Sequence, residues 1–444
     1  MKRAVLVSAL FALLVIVLPA RGLTFLWDDW FLLERAASPL RWFEPVNEHW
    51  APLYCALFAV EHALFGANHT FFLLTSWALH CVNLALLGSL LAKKTKDENA
   101  AAIAVLAFGV ATSWREVLWW ACLGGLVLSF TIVLLGMHAG ERVREAKDAR
   151  EERIFLGLAA LASFAAPLAF GSGLALGPLL ALELAPRRRA LVPLAGTLVY
   201  LAIYAFIEKE QHPPVDLVKA ANFALHGLGL GVVKRTFLPI STSALPEAWQ
   251  ALLPLSTWWR PEAWLPETAR VAWGLSLVYV TLTGLVALRG ERKQVACALA
   301  FLGLFLVPVA LARASFMAAA AAAFSRYQYY PGLAWSWTLA LALTRRPARV
   351  QLGAALLVVP LALLHASEAG RDHRPFAPPA RREHPALVRS YVEIAHESSS
   401  AIDRVRVPPL LAWPGKTSAR AIARALDPSV PGLAVVASDT SVLK

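Results

Sequence analysis

The feature that most constrains this chain is a repeated alternation of long apolar stretches and short basic segments. A helix needs about 20 apolar residues to cross roughly 30 Å of hydrocarbon. Stretches near that length run over Ala4–Ala20, Phe71–Ala92, Ala100–Trp114, Val117–His138, Ile154–Phe170, Gly173–Ala185, Leu191–Ile207, Val271–Leu288, Val295–Leu311, Tyr330–Thr344 and Val350–His365. The expectation is an all-α polytopic membrane protein with about 11 transmembrane helices. Gly173–Ala185 is short and interrupted by Gly and Pro, as in a broken helix that lines a cavity. The first stretch, behind Met1-Lys2-Arg3, also has the opening of a signal peptide, but no clean A-x-A site precedes Arg21 and many spans follow.

The loops test this threading. With the amino terminus in the cytoplasm, the inner segments carry Lys2-Arg3, Lys93-Lys94-Lys96, Arg142 to Arg153, Arg187-Arg188-Arg189, Arg289-Arg292-Lys293 and Arg345-Arg346-Arg349. Each is basic, as the positive-inside rule requires. The net charge of +12 is thereby a topology signal, and nucleic acid drops out as a partner. Composition agrees: 58% of the 444 residues are hydrophobic and 16% charged, whereas soluble domains sit near 45–50% and about 25%. Cys55, Cys81, Cys122 and Cys297 are scattered, without metal-ligand spacing.

The outer side then receives residues 21–70 and 208–270 as long loops, the Trp114-Arg115-Glu116 turn, Gly171-Ser172, Ala312–Tyr329, and everything after about Ala366. Pro52–Gly66 has an apolar face interrupted by Glu61-His62, which suits an interfacial helix on the outer leaflet. The chain divides into a transmembrane part, residues 1–366, and an extracytoplasmic part, residues 367–444. The latter shows helical patterns at His384–Ser398 and Ser418–Leu426 and apolar runs at Val405–Trp413 and Leu433–Ser438. That order predicts a small α/β appendage.

The scarce outer-face charges carry the candidate chemistry. Asp28 and Asp29 stand between Trp27 and Trp30 just outside the first span. One reading is a solvated loop end with interfacial aromatic anchors. The other is a general base with a neighbour that orients it or holds a divalent cation, since apolar Trp beside an Asp raises its pKa. Glu48 and His49 precede Pro52 in the same loop and are further candidate metal or hydroxyl ligands. Glu116 opens the fourth span, and Arg326-Tyr327-Gln328-Tyr329-Tyr330-Pro331 opens the tenth. An Arg among tyrosines at a membrane boundary is either a snorkelling anchor or an anion clamp that meets phosphate oxygens bidentately. His80 and Asn83, one turn apart within the second span, read as interhelical hydrogen-bonding groups.

Taken in order along the chain, these motifs resemble those of the GT-C superfamily of polyprenyl-phosphate-sugar-dependent glycosyltransferases. The nearest pattern is the protein O-mannosyltransferase-like group and its bacterial relatives. Asp28-Asp29 matches the acidic motif of the first outer loop, His49-Trp50-Ala51-Pro52-Leu53-Tyr54 an (H/Y)-x-x-P-L-(Y/F) stretch, and His80-Cys81-Val82-Asn83 an H-x-x-N motif. Glu116-Val117-Leu118-Trp119-Trp120 is similar to an E-A-V-x-W segment, and Ser325 to Pro331 to (S/E)-R-Y-x-Y-x-P. One departure stands out: where relatives often carry Lys-Glu before the short sixth span, this chain has Gly171-Ser172.

The resemblance implies a GT-C membrane fold and an inverting transfer of a sugar from an undecaprenyl-phosphate-type donor to an acceptor hydroxyl, on the outer face of a bacterial inner membrane. It implies Asp28 as general base. Asp29, Glu48 and His49 would position the acceptor or a divalent cation such as Mg or Mn. Arg326, aided by Tyr327, would bind the donor phosphate, with Glu116 and Tyr329 as further substrate contacts. The partners implied are the lipid-linked donor, a glycan, lipid or protein acceptor, and membrane lipid. Two other classes remain open from the residues alone: a transporter or flippase of lipid-linked sugars, and a non-catalytic envelope assembly subunit. A transporter places its ionisable groups near the midplane, often in repeated halves. Here they sit at one face and no repeat is visible.

Overall fold

The apolar stretches become helices, and their ends are set by local chemistry. The computed structural model describes residues 1–20, 25, 28–45, 49–111, 114–185, 188–207, 214–229, 266–314, 325–369, 387, 389–396, 402 and 419–426. Helix α1 (Lys2–Phe11) continues through wider and tighter turns to Ala20. After it come α2 (Asp28–Ala36), a 3-10 turn at Pro39–Phe43, and α3 (Pro52–Phe65). Then follow α4 (His69–Thr95), α5 (Glu98–Gly109), α6 (Arg115–Trp119), α7 (Gly124–Glu145) and α8 (Ala149–Ala169). A 3-10 turn at Gly171–Ala175 leads into α9 (Leu176–Leu184), α10 (Leu191–Ala205) and α11 (Leu217–His226). Beyond these lie α12 (Pro266–Val286), α13 (Arg292–Arg313), α14 (Ser325–Gln328), α15 (Pro331–Leu343), α16 (Ala348–Ala369) and α17 (Ala419–Leu426).

Caps fix several of these boundaries. Asn68 accepts from the Thr70 amide at 3.2 Å to start α4. Asp97 takes the Asn99 and Ala100 amides to start α5, and Asp148 those of Arg150 and Glu151 to start α8. Such caps satisfy amides that the first helical turn leaves without partners. Gly290, at φ 100, supplies the left-handed turn between α12 and α13, a conformation that costs glycine little.

His69–Thr95, Ala121–Glu145, Ala149–Ala169 and the pair Trp273–Arg313 are long and apolar enough to cross a bilayer, and shorter apolar helices surround them. This is a polytopic α-helical membrane protein. Each predicted apolar stretch contains a helix, with corrections: α5 ends at Gly109, short of Trp114, and the 3-10 turn Gly171–Ala175 takes up the start of the Gly173–Ala185 stretch ahead of α9. Val117–His138 is not continuous: α6 ends at Trp119, a 3-10 turn occupies Ala121–Leu123, and α7 begins at Gly124. The helices pack about an aromatic centre in which Phe108, Trp114, Phe130 and Tyr329 meet edge to face or stacked.

Helix α3 lies where the sequence places an interfacial helix, with Pro52 in its first turn. Leu53, Val60 and Leu64 are exposed, while Glu61 is buried. That inverts the burial pattern of a helix on a water-facing surface and fits a face turned to lipid. At the opposite end of the bundle, Lys94 is no plain loop cation. Its ammonium pairs with Glu141 and Glu183 at 2.7 Å each and lies 4.4 Å over the Trp337 ring. Arg144 completes the network through Glu141 and Glu183.

The carboxy-terminal part is helical where described: residues 389–396 and α17. No strand occurs among the described residues. The apolar runs Val405–Trp413 and Leu433–Ser438, on which the α/β expectation rests, lie outside them. Helix α17 packs against α2, burying Ala419, Ile422 and Ala423. Helix α17 therefore sits on the same side of the bundle as Asp28 and Asp29.

Candidate functional site

Helix α2 presents both aspartates in its first turn, where the helix dipole and free amides favour negative charge. Asp29 is fully buried and accepts the Cys122 backbone N–H at 2.6 Å. The break between α6 and α7 makes this possible, because a continuous helix would have committed that amide to a carbonyl one turn back. Asp28, one residue earlier, is only partly buried. Beside them Trp30 is buried against Phe25, ring centroids 5.5 Å apart. The far end of α2 is tied down by Arg35, which donates to the Glu44 carbonyl at 2.7 Å.

The His49-Trp50 segment is held from two sides. Trp50 donates its indole N–H to the Phe43 carbonyl at 3.0 Å, and Tyr200 donates to the Trp50 carbonyl at 3.1 Å. The His49 ring lies against Phe170 with centroids 4.9 Å apart. Its Nε2 is 3.3 Å from Nη2 of Arg313. Guanidinium only donates, so Nε2 accepts and a neutral His49 carries its proton on Nδ1. Burial lowers the imidazole pKa to about 4, against the upward pull of the Asp28 carboxylate.

Arg326 stands on the short helix α14, its guanidinium 5.6 Å from the Trp120 ring centre and 5.3 Å from that of Tyr327. Tyr327 is buried against Phe223, Ala220 and Ala310. The segment is anchored from beneath. Tyr330 donates to Ser129 Oγ at 2.6 Å, and Ser129 donates to the Ala166 carbonyl at 2.7 Å.

Asp28, Asp29, His49 and Arg326 are brought to one place. The Asp28 charge reaches His49 and Arg313, that of Arg326 reaches Arg313, and Cys122 feels both aspartates and Arg326. Tyr329 does not join them. It is fully buried, and its hydroxyl meets His80 Nδ1 at 2.7 Å and Asn83 Nδ2 at 3.3 Å. His80 and Asn83 thus make the interhelical bonds expected of them, and Tyr329 braces the arginine segment from below. Glu48 lies outside the described residues, as does the side chain of Glu116.

Arg313 is the residue that sequence reasoning passed over. Ending a long apolar helix, it has the pattern of a snorkelling anchor, and no motif marks it.

The suggested cation ligands fit poorly as described. His49 turns Nε2 to Arg313, and an ideal Cβ on Gly171 would lie 3.0 Å from its Nδ1, so both ring nitrogens face protein. Asp29 is engaged with the Cys122 amide. Among the described residues no group of three His, Cys, Asp or Glu side chains is placed to hold a metal ion.

The overall arrangement of helices has known counterparts. The crystal structure of ArnT from Cupriavidus metallidurans in the apo state matches with a TM-score of 0.50 and 16% identity, over 95% of this chain and 75% of that one. The likeness is one of fold. ArnT from the same organism bound to undecaprenyl phosphate matches at 0.47 and 15% identity, with the same coverage. The Archaeoglobus fulgidus oligosaccharyltransferase in complex with Zn and sulfate matches at 0.47 and 13% identity, over 89% of this chain and 55% of that one. No family model and no curated protein sequence matches the chain. The acidic α2, the His49 segment of the first loop and the Arg326 segment come from separate parts of the chain to the same end of the bundle.

Proposed function

We propose that this chain is a multi-pass inner-membrane glycosyltransferase that moves a sugar from a polyprenyl-phosphate donor to an acceptor hydroxyl at the extracytoplasmic face. The observation that carries the reading is that a carboxylate, Asp28, and a second guanidinium, Arg326, both lie close enough to Arg313 to act on its charge, at one end of an apolar helical bundle. Carboxylate and cations have complementary tasks there. The acceptor oxygen attacks the anomeric carbon, and its proton passes to the Asp28 carboxylate. The bond from that carbon to the donor phosphate oxygen breaks, and its electron pair stays on the phosphate. Attack opposite the leaving group inverts the anomeric centre.

A phosphate leaving group requires stabilisation of the charge it gains more than a proton, and an arginine fork at its oxygens supplies this. Asp29, buried and bonded to the Cys122 amide, holds the acidic turn in register. Trp120 and Tyr327 flank Arg326 with apolar surface, which strengthens its field at the phosphate. The lipid tail would lie along the apolar helices, and the amino terminus and basic loops would face the cytoplasm. The divalent cation expected from the sequence, Mg or Mn, rests on Asp29, Glu48 and His49, and no step above is routed through it.

The test is transfer by purified protein from a panel of polyprenyl-phosphate sugars, with Arg326→Ala alongside. Transfer from at least one donor, weakened at least tenfold by the substitution, supports the reading. Absence of transfer from every donor, together with flipping of lipid-linked sugar in vesicles, would favour a transporter.

A further inference from the structure

The proposed reaction leaves one contact unexplained, that between His49 and Arg313. We infer that Arg313 is a second guanidinium for the donor phosphate and that His49 is its positioning residue, an assignment that rests on the transferase reading above.

The geometry is specific. Arg313 closes α13 and Arg326 opens α14, so both ends of the intervening segment deliver a guanidinium to the same neighbourhood, near enough to repel. Like charges gathered beside apolar aromatic groups are unfavourable unless an anion joins them. Asp28 is one such anion within reach of Arg313. The His49 imidazole, whose Nε2 accepts from Arg313, directs the guanidinium by hydrogen bonding without cancelling its charge.

His49 is itself confined. Phe170 lies along one face of the ring, and Gly171 lies beside Nδ1. An ideal Cβ at position 171 would stand 3.0 Å from that nitrogen, tighter than ordinary van der Waals contact, so a side chain there requires the ring to give by a few tenths of an ångström. Glycine at 171 is thus what admits His49, and the imidazole in turn aims a cation from α13.

The charge balance of the reaction gives that cation a use. A sugar-phosphate-lipid diester carries one negative charge, and the lipid phosphate released on transfer carries up to two. A single guanidinium suits the first state, and a pair suits the second. Arg313 would then contribute more to the departing phosphate than to the bound donor, which is the direction that accelerates the chemical step.

The experiment uses the full chain in nanodiscs with undecaprenyl phosphate as the probe and the uncharged alcohol undecaprenol as control. Arg313→Ala should weaken undecaprenyl phosphate binding about tenfold or more, the scale of a lost charge-assisted contact, and leave undecaprenol unchanged. Arg313→Lys tests whether charge alone suffices. His49→Ala and Gly171→Ala should weaken phosphate binding several-fold, while His49→Gln, whose carboxamide oxygen can accept from Arg313, should restore most of it. Thermal melting of each variant reports folding separately. Unchanged phosphate binding in folded Arg313→Ala and Arg313→Lys would overturn the inference, as would equal losses in His49→Gln and His49→Ala. The outcomes separate the two claims. Binding lost in Arg313→Ala without sugar transfer by the wild type keeps the anion site and removes the transferase reading. Transfer with binding indifferent to Arg313 does the reverse.

Discussion

Asp29 accepts the backbone N–H of Cys122 at 2.6 Å across the break between α6 and α7, so the two adjacent aspartates have different surroundings and different expected roles. Asp29 is fully buried, Asp28 only partly so. Removing the buried acceptor leaves the Cys122 amide without it, at a cost of about 1–3 kcal/mol. Asp29→Ala should therefore lower the melting temperature in detergent, and Asp29→Asn, which keeps an acceptor oxygen, should lower it less. Asp28→Asn should melt like the wild type.

Tyr329 gives a second contrast. Its hydroxyl is shared by His80 and Asn83 within the bundle, where water does not replace a lost partner. Tyr329→Phe should destabilise the protein by about 1–2 kcal/mol while the KM for donor stays within about twofold. A tenfold rise in KM with unchanged stability would return Tyr329 to the substrate.

The Lys94 network makes a stronger prediction about stability. The Lys94 and Glu183 side chains are each 1% exposed and pair at 2.7 Å. Replacing one partner of a buried pair strands the other charge, at a cost of about 3–5 kcal/mol. Lys94→Met should unfold at much lower temperature, and adding Glu183→Gln should recover part of the loss. An additive double variant would show that the pair is not coupled.

Glu61 sets a pH dependence. Burial raises its carboxyl pKa to about 8, with the Asp29 charge adding to the rise and a hydrogen bond from Thr75 opposing it. The unfolded chain ionises this group near its ordinary value, about 4.3. Between these values the folded protein holds the extra proton, so the stabilising contribution is full below the unfolded pKa and is lost as pH rises to about 8. Melting temperature followed from pH 5 to pH 9 should decline in the wild type, and the decline should be shallower in Glu61→Gln. Parallel curves would remove Glu61 as the cause.

Much of the fold was legible in the sequence because apolar length has one dominant cause, the thickness of the hydrocarbon a helix must cross. The Asp28, His49 and Arg326 neighbourhood was readable because charged residues are few, 16% of the chain. The break at Trp120–Leu123 was hidden, because Val117 to Val127 is apolar throughout and hydrophobicity alone cannot tell a helix from a turn that frees an amide. Arg313 was hidden by its place at a helix end, where arginines commonly snorkel. Lys94 fitted the positive-inside pattern so well that its buried partners, Glu141 and Glu183, distant in sequence, had no signature.

The most direct test of the central claim is release of polyprenyl phosphate and glycosylated acceptor by purified protein, quantified together by mass spectrometry for the wild type and Asp28→Asn. The account predicts equimolar products from the wild type, with the anomeric configuration inverted, and a fall of about 10²–10⁴ in Asp28→Asn, the range expected for loss of a general base. Equal product from both proteins would contradict it.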